Sequence, residues 1–261
     1  MKKFFTIFLT IILTLTMILI TISYSAENIV INTLSSELTY KKVSGKILDF
    51  VIDYDMNKLD EIDNTIKNSK QIPKITKNFL NATIENISYN KNTIPDISYE
   101  IENLVNNELS NNIDEETRDK IITAFNNYGN ELENEFEIYL SGFSYNYTEL
   151  FKMYYTLVHN TFRIILFTIL CISIIILILL KKIKAMSSLK IASIITFAVS
   201  TGMLITIKLF QNYIDQNFAG GRLNNLNTIS LIVFAIIWLL LSVIFIVSDK
   251  KLKKLKKKII K

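Results

Sequence analysis

The chain has one histidine, His159, and one cysteine, Cys171, so catalysis by either side chain would depend on its immediate neighbours. No acidic residue lies four positions from His159 on either side, and a general base needs such a partner to orient it. Cys171 lies in an uncharged run of aliphatic residues, where the reactive thiolate is disfavoured. We therefore predict no catalytic, metal-ligating or cofactor-binding residue, and no enzymatic activity.

Acidic residues cluster at Asp114-Glu115-Glu116 and recur at alternate positions from Glu131 to Glu137. A calcium-binding loop also needs a central glycine, which neither cluster has, so we interpret both as solvated helix faces. The adjacent glycines Gly220-Gly221 are not followed by the lysine and hydroxyl residue of a phosphate-binding loop. The sequence thus predicts neither a calcium site nor a nucleotide site.

Charge and hydropathy divide the chain into two kinds of segment. Residues 27–160 carry 22 acidic and 12 basic residues, a net charge of −10, although the whole chain has a net charge of +5. The remaining lysines flank long uncharged apolar runs, the pattern of a membrane protein that keeps its positive loops inside the cell. A single cysteine excludes a disulfide within the polar segment.

The sequence predicts an all-α integral membrane protein, with an extracytoplasmic helical bundle and three transmembrane helices, or four if the N-terminal segment is uncleaved. The expected boundaries are a signal peptide or first transmembrane helix at 1–26, an acidic extracytoplasmic helical domain at 27–160, transmembrane helices at 161–182, 191–210 and 229–248, a cytoplasmic turn at 183–190, an outer loop at 211–228, and a cytoplasmic polybasic tail at 249–261.

The N-terminal apolar run, residues 4–22, has two interpretations. Its length is close to the roughly 20 residues that cross a bilayer, and it exceeds the usual core of a signal peptide. Ser23 and Ser25, however, are small residues at positions −3 and −1 of a possible cleavage site before Ala26. Both interpretations place Glu27 outside the cell, because Lys2 and Lys3 stay inside.

Four amphipathic helices are expected in the polar segment, since apolar residues recur there at helical spacing between breakers. The first spans Ile47 to Ile66, the second opens near Pro73, the third follows Pro95 with Asp96 as a cap, and the fourth runs from the Asn111-Asn112 turn to Gly142. Residues 28–40 remain open between strand and loop. Because no stripe is long enough to be stable alone, we predict that the four close into a bundle.

Two features of the spans bear on their orientation and packing. Aromatic residues from Phe143 to Tyr155 precede the second apolar run and suit the headgroup region, which places the entry of that helix on the outside. In the third run, Ala192, Thr196 and Ser200 fall four apart, as do Ala198 and Gly202. We expect these small residues to allow close helix packing, with hydrogen bonds across the contact.

The C-terminal tail combines lysines with a sparse apolar face and is expected to bind anionic lipids rather than nucleic acid. Its predicted lipid-binding residues are Lys250, Lys251, Lys253, Lys254, Lys256, Lys257 and Lys258. The abundance of Asn, Ile and Lys is typical of an AT-rich bacterial genome, so we expect a plasma membrane protein of a bacterium.

The leading functional hypothesis is a non-enzymatic cell-envelope protein whose helical outer domain binds an unidentified protein partner. The short connection from Gly142 to Tyr147 suggests that this domain also couples mechanically to the membrane helices. The alternative is a permease-type subunit of an ABC transporter-like complex. The order of spans, with one N-terminal span, a large outer domain and three further spans, resembles that of MacB-like and FtsX-like permeases.

The topology is tested by labelling single cysteines in intact cells after Cys171 is replaced. We expect cysteines at Asn86 and Asn225 to react with an impermeant maleimide, and a cysteine at Ser187 to be protected until the membrane is broken. Labelling at position 187 in intact cells would reverse the orientation.

Overall fold

The computed structural model describes residues 2–52, 58–89, 91, 93–141, 147–181, 185–218 and 226–259. These residues are almost entirely helical and contain no strand, which confirms the all-α prediction. The helices are α1 (Lys2–Leu34), α2 (Tyr40–Val51), α3 (Leu59–Asn68), α4 (Gln71–Tyr89), α5 (Ser98–Asn103), α6 (Glu115–Ser141), α7 (Tyr147–Val158), α8 (Asn160–Lys181), α9 (Ala185–Phe218) and α10 (Ile229–Ile259).

The chain forms two compact units. The first, the membrane unit, comprises Met1–Ile29, Thr156–Gln211 and Asn227–Lys261. The second, the polar unit, comprises Val30–Tyr155 and Asn212–Leu226. Helices α1, α7 and α9 each contribute residues to both units.

Four helices among the described residues are long and apolar enough to cross a membrane: Lys3–Leu34, Asn160–Leu180, Ala185–Tyr213 and Ile229–Lys253. Large aliphatic side chains on them are exposed, such as Ile164, Ile175 and Leu179 on α8. A water-soluble protein would bury such a surface, whereas a bilayer accommodates it. The chain is therefore a multi-pass membrane protein by the character of its helices.

The core of the membrane unit draws on all four of these helices. Leu9, Leu13 and Met17 lie four apart on α1 and so share one face, which packs with Leu177 of α8 and Trp238 of α10. Three residues of α9 complete this core: Ala185, Leu189 and Ala192. The N-terminal helix thus contributes three of the buried residues of this core.

The polar unit is built on a separate hydrophobic core that α2 to α6 share. Its largest fully buried rings, Phe79 of α4 and Phe136 of α6, stack with centroids 5.1 Å apart. The remaining buried members of this core are Leu38, Val43, Ile47, Val51, Ile62, Ile66, Ile72, Ile75, Ile97, Ile101, Leu104, Val105, Leu109, Ile113, Ile121, Phe125 and Leu132.

The first predicted helix of the polar unit differs from the structure. The expected first helix, Ile47 to Ile66, is two helices, because α2 ends at Val51 and α3 begins at Leu59. Ile47 and Ile66 are both fully buried in the same core. Two separate helices let both apolar stripes face that core, whereas one straight helix carries a drifting stripe out of it.

Residues 28–40, left open between strand and loop, are helical. Helix α1 continues to Leu34, and a π-helical turn at Ser35–Thr39 leads into α2. The hydroxyl of Thr76 lies 2.8 Å from the hydroxyls of Ser35 and Thr39, so the wider turn satisfies three buried polar groups.

The predicted cap Asp96 lies one residue before the N-cap position of α5, which is occupied by Ile97 without a side-chain cap bond. The Asp96 carboxylate accepts the N–H of Ser98, the first residue of α5, at 2.9 Å. The carboxylate of Asp114, the residue before α6, accepts the N–H of Thr117 at 2.7 Å. Helix α6 ends at Ser141, next to the predicted breaker Gly142, which with residues 143–146 lies outside the described part of the chain.

Two tyrosines of the polar unit donate hydrogen bonds to carboxylates. Tyr40 donates to Asp63 at 2.6 Å, and Ser44 donates to the other oxygen of Asp63 at 2.5 Å. Tyr155 donates to Glu85. Burial and the bond to Asp63 raise the pKa of Tyr40 to about 12, and the bond to Glu85 and burial raise the pKa of Tyr155 to about 12.

These pKa values predict how stability changes at high pH. A phenol whose pKa is raised by folding stabilises the fold fully below its unfolded value near 10, and this stabilisation is lost as the pH rises towards 12. For the full-length protein in detergent, we expect the unfolding temperature to fall across that range. In a titration followed at 295 nm, Tyr40→Phe and Tyr155→Phe should each remove one late-ionising phenol. Ionisation of both phenols near pH 10 would show that these bonds do not form.

Candidate functional site

The most deeply buried cation that the structure describes in the membrane unit is Arg163, which is 6% exposed. Its Nη2 atom lies 2.5 Å from Oε2 of Glu27 and donates to the backbone carbonyl of Ser23 at 3.1 Å. Its Nε donates to the Ser23 hydroxyl oxygen at 2.9 Å. The guanidinium carbon lies 4.1 Å from the centre of the Tyr24 ring. One stretch of α1 therefore supplies a carboxylate, two oxygens and an aromatic face to one guanidinium.

Helix periodicity explains how α1 provides these groups together. Ser23, Tyr24 and Glu27 are spaced by one, three and four residues, so they lie on adjoining parts of one helix face. Arg163 is in the first turn of α8, which begins at Asn160. The Ser23 hydroxyl also donates to the carbonyl of Leu157 at 2.7 Å, which joins α1 to the end of α7.

Contacts of the same stretch of α1 reach α10. The indole nitrogen of Trp238 donates to the Thr21 hydroxyl at 2.8 Å, and both residues are buried. The Tyr24 ring lies 6.4 Å from the ring of Phe167 on α8 and 6.1 Å from that of Phe234 on α10. We call Ser23, Tyr24, Glu27 and Arg163 the arginine centre.

The chemistry of the arginine centre is that of a fixed ion pair. A guanidinium remains protonated at any physiological pH, so Arg163 cannot act as a base. Its donors are directed at oxygens of α1. Because loss of one partner would leave a buried charge uncompensated, the pair specifies which segment of α1 must lie against α8.

A second buried charge, Asp249, lies on α10 near the C-terminal end of the last span and is 4% exposed. Its carboxylate accepts hydrogen bonds from Lys253 at 2.7 Å, from Ser187 at 3.0 Å and from Lys190 at 3.4 Å. Ser187 and Lys190 are three residues apart near the start of α9. Asp249 therefore joins α9 to α10 where the apolar part of α10 gives way to lysines.

The small residues of α9 behave only partly as predicted. Ala192, Thr196 and Ser200 are buried, in agreement with close packing, whereas Ala198 and Gly202 are exposed. The predicted hydrogen bonds across the helix contact are not made by Thr196 and Ser200. Their hydroxyls donate instead to the carbonyls four residues earlier, at 2.9 and 2.8 Å, because that acceptor is always within reach in a helix.

The aromatic residues expected at the headgroup region have partners within the polar unit. Phe151, Tyr154 and Tyr155 pack around a cluster that contains Ile31 of α1 and Ile84 of α4. These contacts cover part of each aromatic ring. Phe143 and Tyr145 lie outside the described residues.

The structure does not bring together the side chains that the sequence offers for catalysis or metal binding. His159 is exposed, and its Nδ1 accepts the N–H of Thr161 at 3.2 Å beside the start of α8. Cys171 is exposed on α8. Within the described ranges, no three His, Cys, Asp or Glu side chains come together as a metal site would require. Glu116 pairs with Lys120, and Glu135 pairs with Lys42 on α2.

A loop that starts at Thr93 runs into the first two residues of α5, Ser98 and Tyr99, and is fixed by side chains of neighbouring elements; we call the whole segment the 93–99 loop. The Asn86 side chain accepts the N–H of Thr93 at 2.8 Å and donates to the carbonyl of Thr93 at 3.1 Å. Asn78 donates to the carbonyl of Asp96 at 3.4 Å. Pro95, within the loop, is buried. The backbone of this loop is therefore held before any partner binds.

The same loop exposes two large apolar side chains. Ile94 is 58% exposed and Tyr99 is 68% exposed. Between them, the exposed Asp96 accepts the backbone N–H of Ser98, which lowers the pKa of its carboxyl group. Glu100 and Glu102 follow on α5, so the apolar side chains lie in an acidic stretch.

Comparisons of the chain with protein-family models, with curated proteins and with solved structures find no match. The functional argument therefore rests on the chain's own residues.

The arginine centre predicts a large and specific effect of substitution. Arg163→Met leaves Glu27 without its guanidinium, and we expect it to destabilise the protein in detergent by about 3–5 kcal/mol. The double variant Arg163→Met, Glu27→Met should recover most of this loss, because it removes both charges together.

A matched control comes from the exposed pair Lys42–Glu135, whose side chains are 37% and 43% exposed. Lys42→Met should cost less than about 1 kcal/mol. Thermal unfolding of all variants in one detergent gives the comparison. Equal stability of Arg163→Met and wild type would contradict the assignment.

Proposed function

We propose that this chain is a non-enzymatic, multi-pass protein of a bacterial plasma membrane, whose polar unit lies outside the cell and binds a protein partner. The observation that carries this proposal is the 93–99 loop. Its backbone is held by Asn78 and Asn86, and it exposes Ile94 and Tyr99. A rigid loop with an exposed aromatic ring loses little conformational entropy on binding, as effective interface residues do.

The charge of the polar segment supports a partner with a basic surface. Residues 27–160 carry a net charge of −10, and Asp96, Glu100 and Glu102 adjoin the two apolar side chains. Opposite charge on the partner would speed association and favour one orientation. The expected partner therefore combines an apolar pocket with basic residues around it.

The lysines that flank the spans support the proposed placement of the polar unit outside the cell. Lys181, Lys182, Lys184 and the tail from Lys250 onward fall on one side of the bilayer if all four helices cross it. The polar unit, which is acidic, then lies on the other side. Its self-contained hydrophobic core suits a domain that folds in water.

We further propose that α1 is retained as the first transmembrane helix and is not removed as a signal peptide. Ser25, at the possible cleavage position, is 2% exposed and lies in the middle of a continuous helix. Proteases cut exposed, extended segments, so this conformation is a poor substrate. Removal of α1 would also strip Arg163 of the Ser23 carbonyl and Trp238 of the Thr21 hydroxyl.

The polybasic tail is proposed to bind anionic lipids. Helix α10 continues without a break to Ile259, so the tail lysines extend from the last span on a helix. Lys250, Lys251 and Lys253 are exposed, and Lys253 also pairs with Asp249. Each lysine near an anionic surface contributes about 1 kcal/mol.

Coupling between the units is proposed to run through the helices that belong to both. Because α1, α7 and α9 each contribute residues to the two units, a partner that repacks the polar unit acts on helices that also form the membrane unit. The predicted coupling through the connection from Gly142 to Tyr147 depends on residues 142–146, which lie outside the described residues.

Site-specific photocrosslinking in living cells tests the partner surface. A photoreactive phenylalanine at position 94 or 99 should give the same discrete protein adduct. A control probe at Asn64, which is exposed on α3, should not give it. Asp96→Lys should lower the adduct yield several-fold, because it introduces repulsion towards a basic partner.

Two results would contradict the proposed surface. One is the absence of any protein adduct at positions 94 and 99 in cells that display the protein correctly. The other is an identical adduct pattern at positions 64, 94 and 99, which would indicate random collision.

A further inference from the structure

A cavity of about 290 Å³ lies within the membrane unit, where α1, α9 and α10 meet. Two hydroxyl residues line it: Ser25 of α1, which is buried, and Thr206 of α9, which is exposed. The rest of the lining is apolar and includes Ile22, Ile29, Met203, Ile207 and Leu231. The cavity therefore offers an apolar ligand few polar contacts, and Ser25 is the buried one.

The hydroxyl group of Ser25 is buried without a hydrogen-bond partner, and the residue is 2% exposed. Other buried hydroxyls of the membrane helices, such as those of Thr21 and Ser193, donate to the carbonyl four residues earlier. Thr201 and Ser230 are the other buried hydroxyls without a partner among the described residues, but neither lines the cavity. Because buried hydroxyls are normally bonded, an open donor at a cavity indicates a ligand with an acceptor.

The three helices place this cavity at one end of the membrane-spanning segments. Ser25 follows Phe4, the first apolar residue of α1, by 21 residues, about 32 Å of helix, and the hydrocarbon core is about 30 Å thick. On α9, Ile207 directly precedes Lys208, and Leu231 is the third residue of α10. If these helices cross a bilayer as proposed above, the cavity lies where hydrocarbon meets the headgroups.

We propose that the cavity binds one glycerolipid through an ester group, with the Ser25 hydroxyl donating to the ester carbonyl and the acyl chain between the apolar walls. Ester carbonyls join the acyl chains to the headgroups, so they are the acceptors that a bilayer supplies at this depth. The nearby charges, Glu27 and Arg163, are paired with each other. The site therefore recognises the glycerol ester and not a particular headgroup.

The size of the cavity fits an acyl chain and not a helix of a second protein chain. The lining residues of α1 extend from Ile22 to Ile29, about 10 Å of helix. A helix with its side chains is about 10–12 Å across, so a space of about 290 Å³ does not admit one. An acyl chain is a single row of methylene groups and enters such a space.

Native mass spectrometry of the full-length protein in mild detergent tests the proposal. The protein is incubated with equal amounts of two phosphatidylglycerols that share headgroup and chain length, one with ester-linked and one with ether-linked chains. The ether lipid lacks the carbonyl acceptor. Wild type should retain the ester lipid about fivefold over the ether lipid, the ratio that one hydrogen bond contributes. The tail lysines contact the headgroup, so they bind both lipids alike.

Variants assign the ester preference to Ser25. Ser25→Ala removes the donor and should retain the two lipids equally. Ser230→Ala is the matched control, because it removes another buried hydroxyl without a partner that does not line the cavity, and it should keep the preference. Ala26→Leu adds bulk to the lining and should lower retention of the ester lipid, with thermal unfolding in detergent as the check on its fold.

Three outcomes would overturn the proposal. Equal retention of the ester and ether lipids by wild type would show that no carbonyl is recognised. An ester preference that persists in Ser25→Ala would place the lipid elsewhere. A dimer that dissociates in Ala26→Leu would show that side chains of a second copy fill the cavity.

Discussion

The buried charge of Arg163 is the constraint on which the membrane unit depends. A guanidinium that is 6% exposed cannot lose its proton, so the fold must surround it with acceptors. Glu27 and the two oxygens of Ser23 are those acceptors, and all three belong to α1. The requirement of one side chain thus links a helix near the N-terminus to the helix that follows the polar unit in sequence.

Charge pairs at two places give the membrane unit a register that apolar packing alone would not define. The arginine centre joins α1 to α8, and Asp249 joins α9 to α10. Between them, aliphatic side chains could slide past one another at little cost, since lipid is as apolar as leucine. Polar contacts are strongly directional, so they select one arrangement from many similar ones.

The architecture was predictable from the sequence because it rests on strong periodic signals. Long uncharged runs predict the spans, and helical spacing predicts the helices of the polar unit, with Asp96 just before α5. The break between α2 and α3 was missed, although the stripe drifts around it. Residue spacing alone does not distinguish one long helix with a drifting apolar stripe from two helices that pack on the same core.

The contacts of the buried charges are harder to predict from the sequence, because they join residues far apart in the chain. Glu27 and Arg163 are the charges next to two apolar runs on the same predicted side of the membrane. Their opposite signs were the signal that could have suggested a pair. The contacts of Asp249 depend on how α9 packs against α10, which residue spacing alone does not determine.

The central claim is that α1 remains part of the mature protein because Arg163 requires it. The most direct measurement is the intact mass of protein purified from membranes, with sequencing of its N-terminal peptide. The account predicts one species that retains residues 3–25. A mature chain that begins at Ala26 or Glu27 and still folds would contradict it, because Arg163 would then be stable without Ser23.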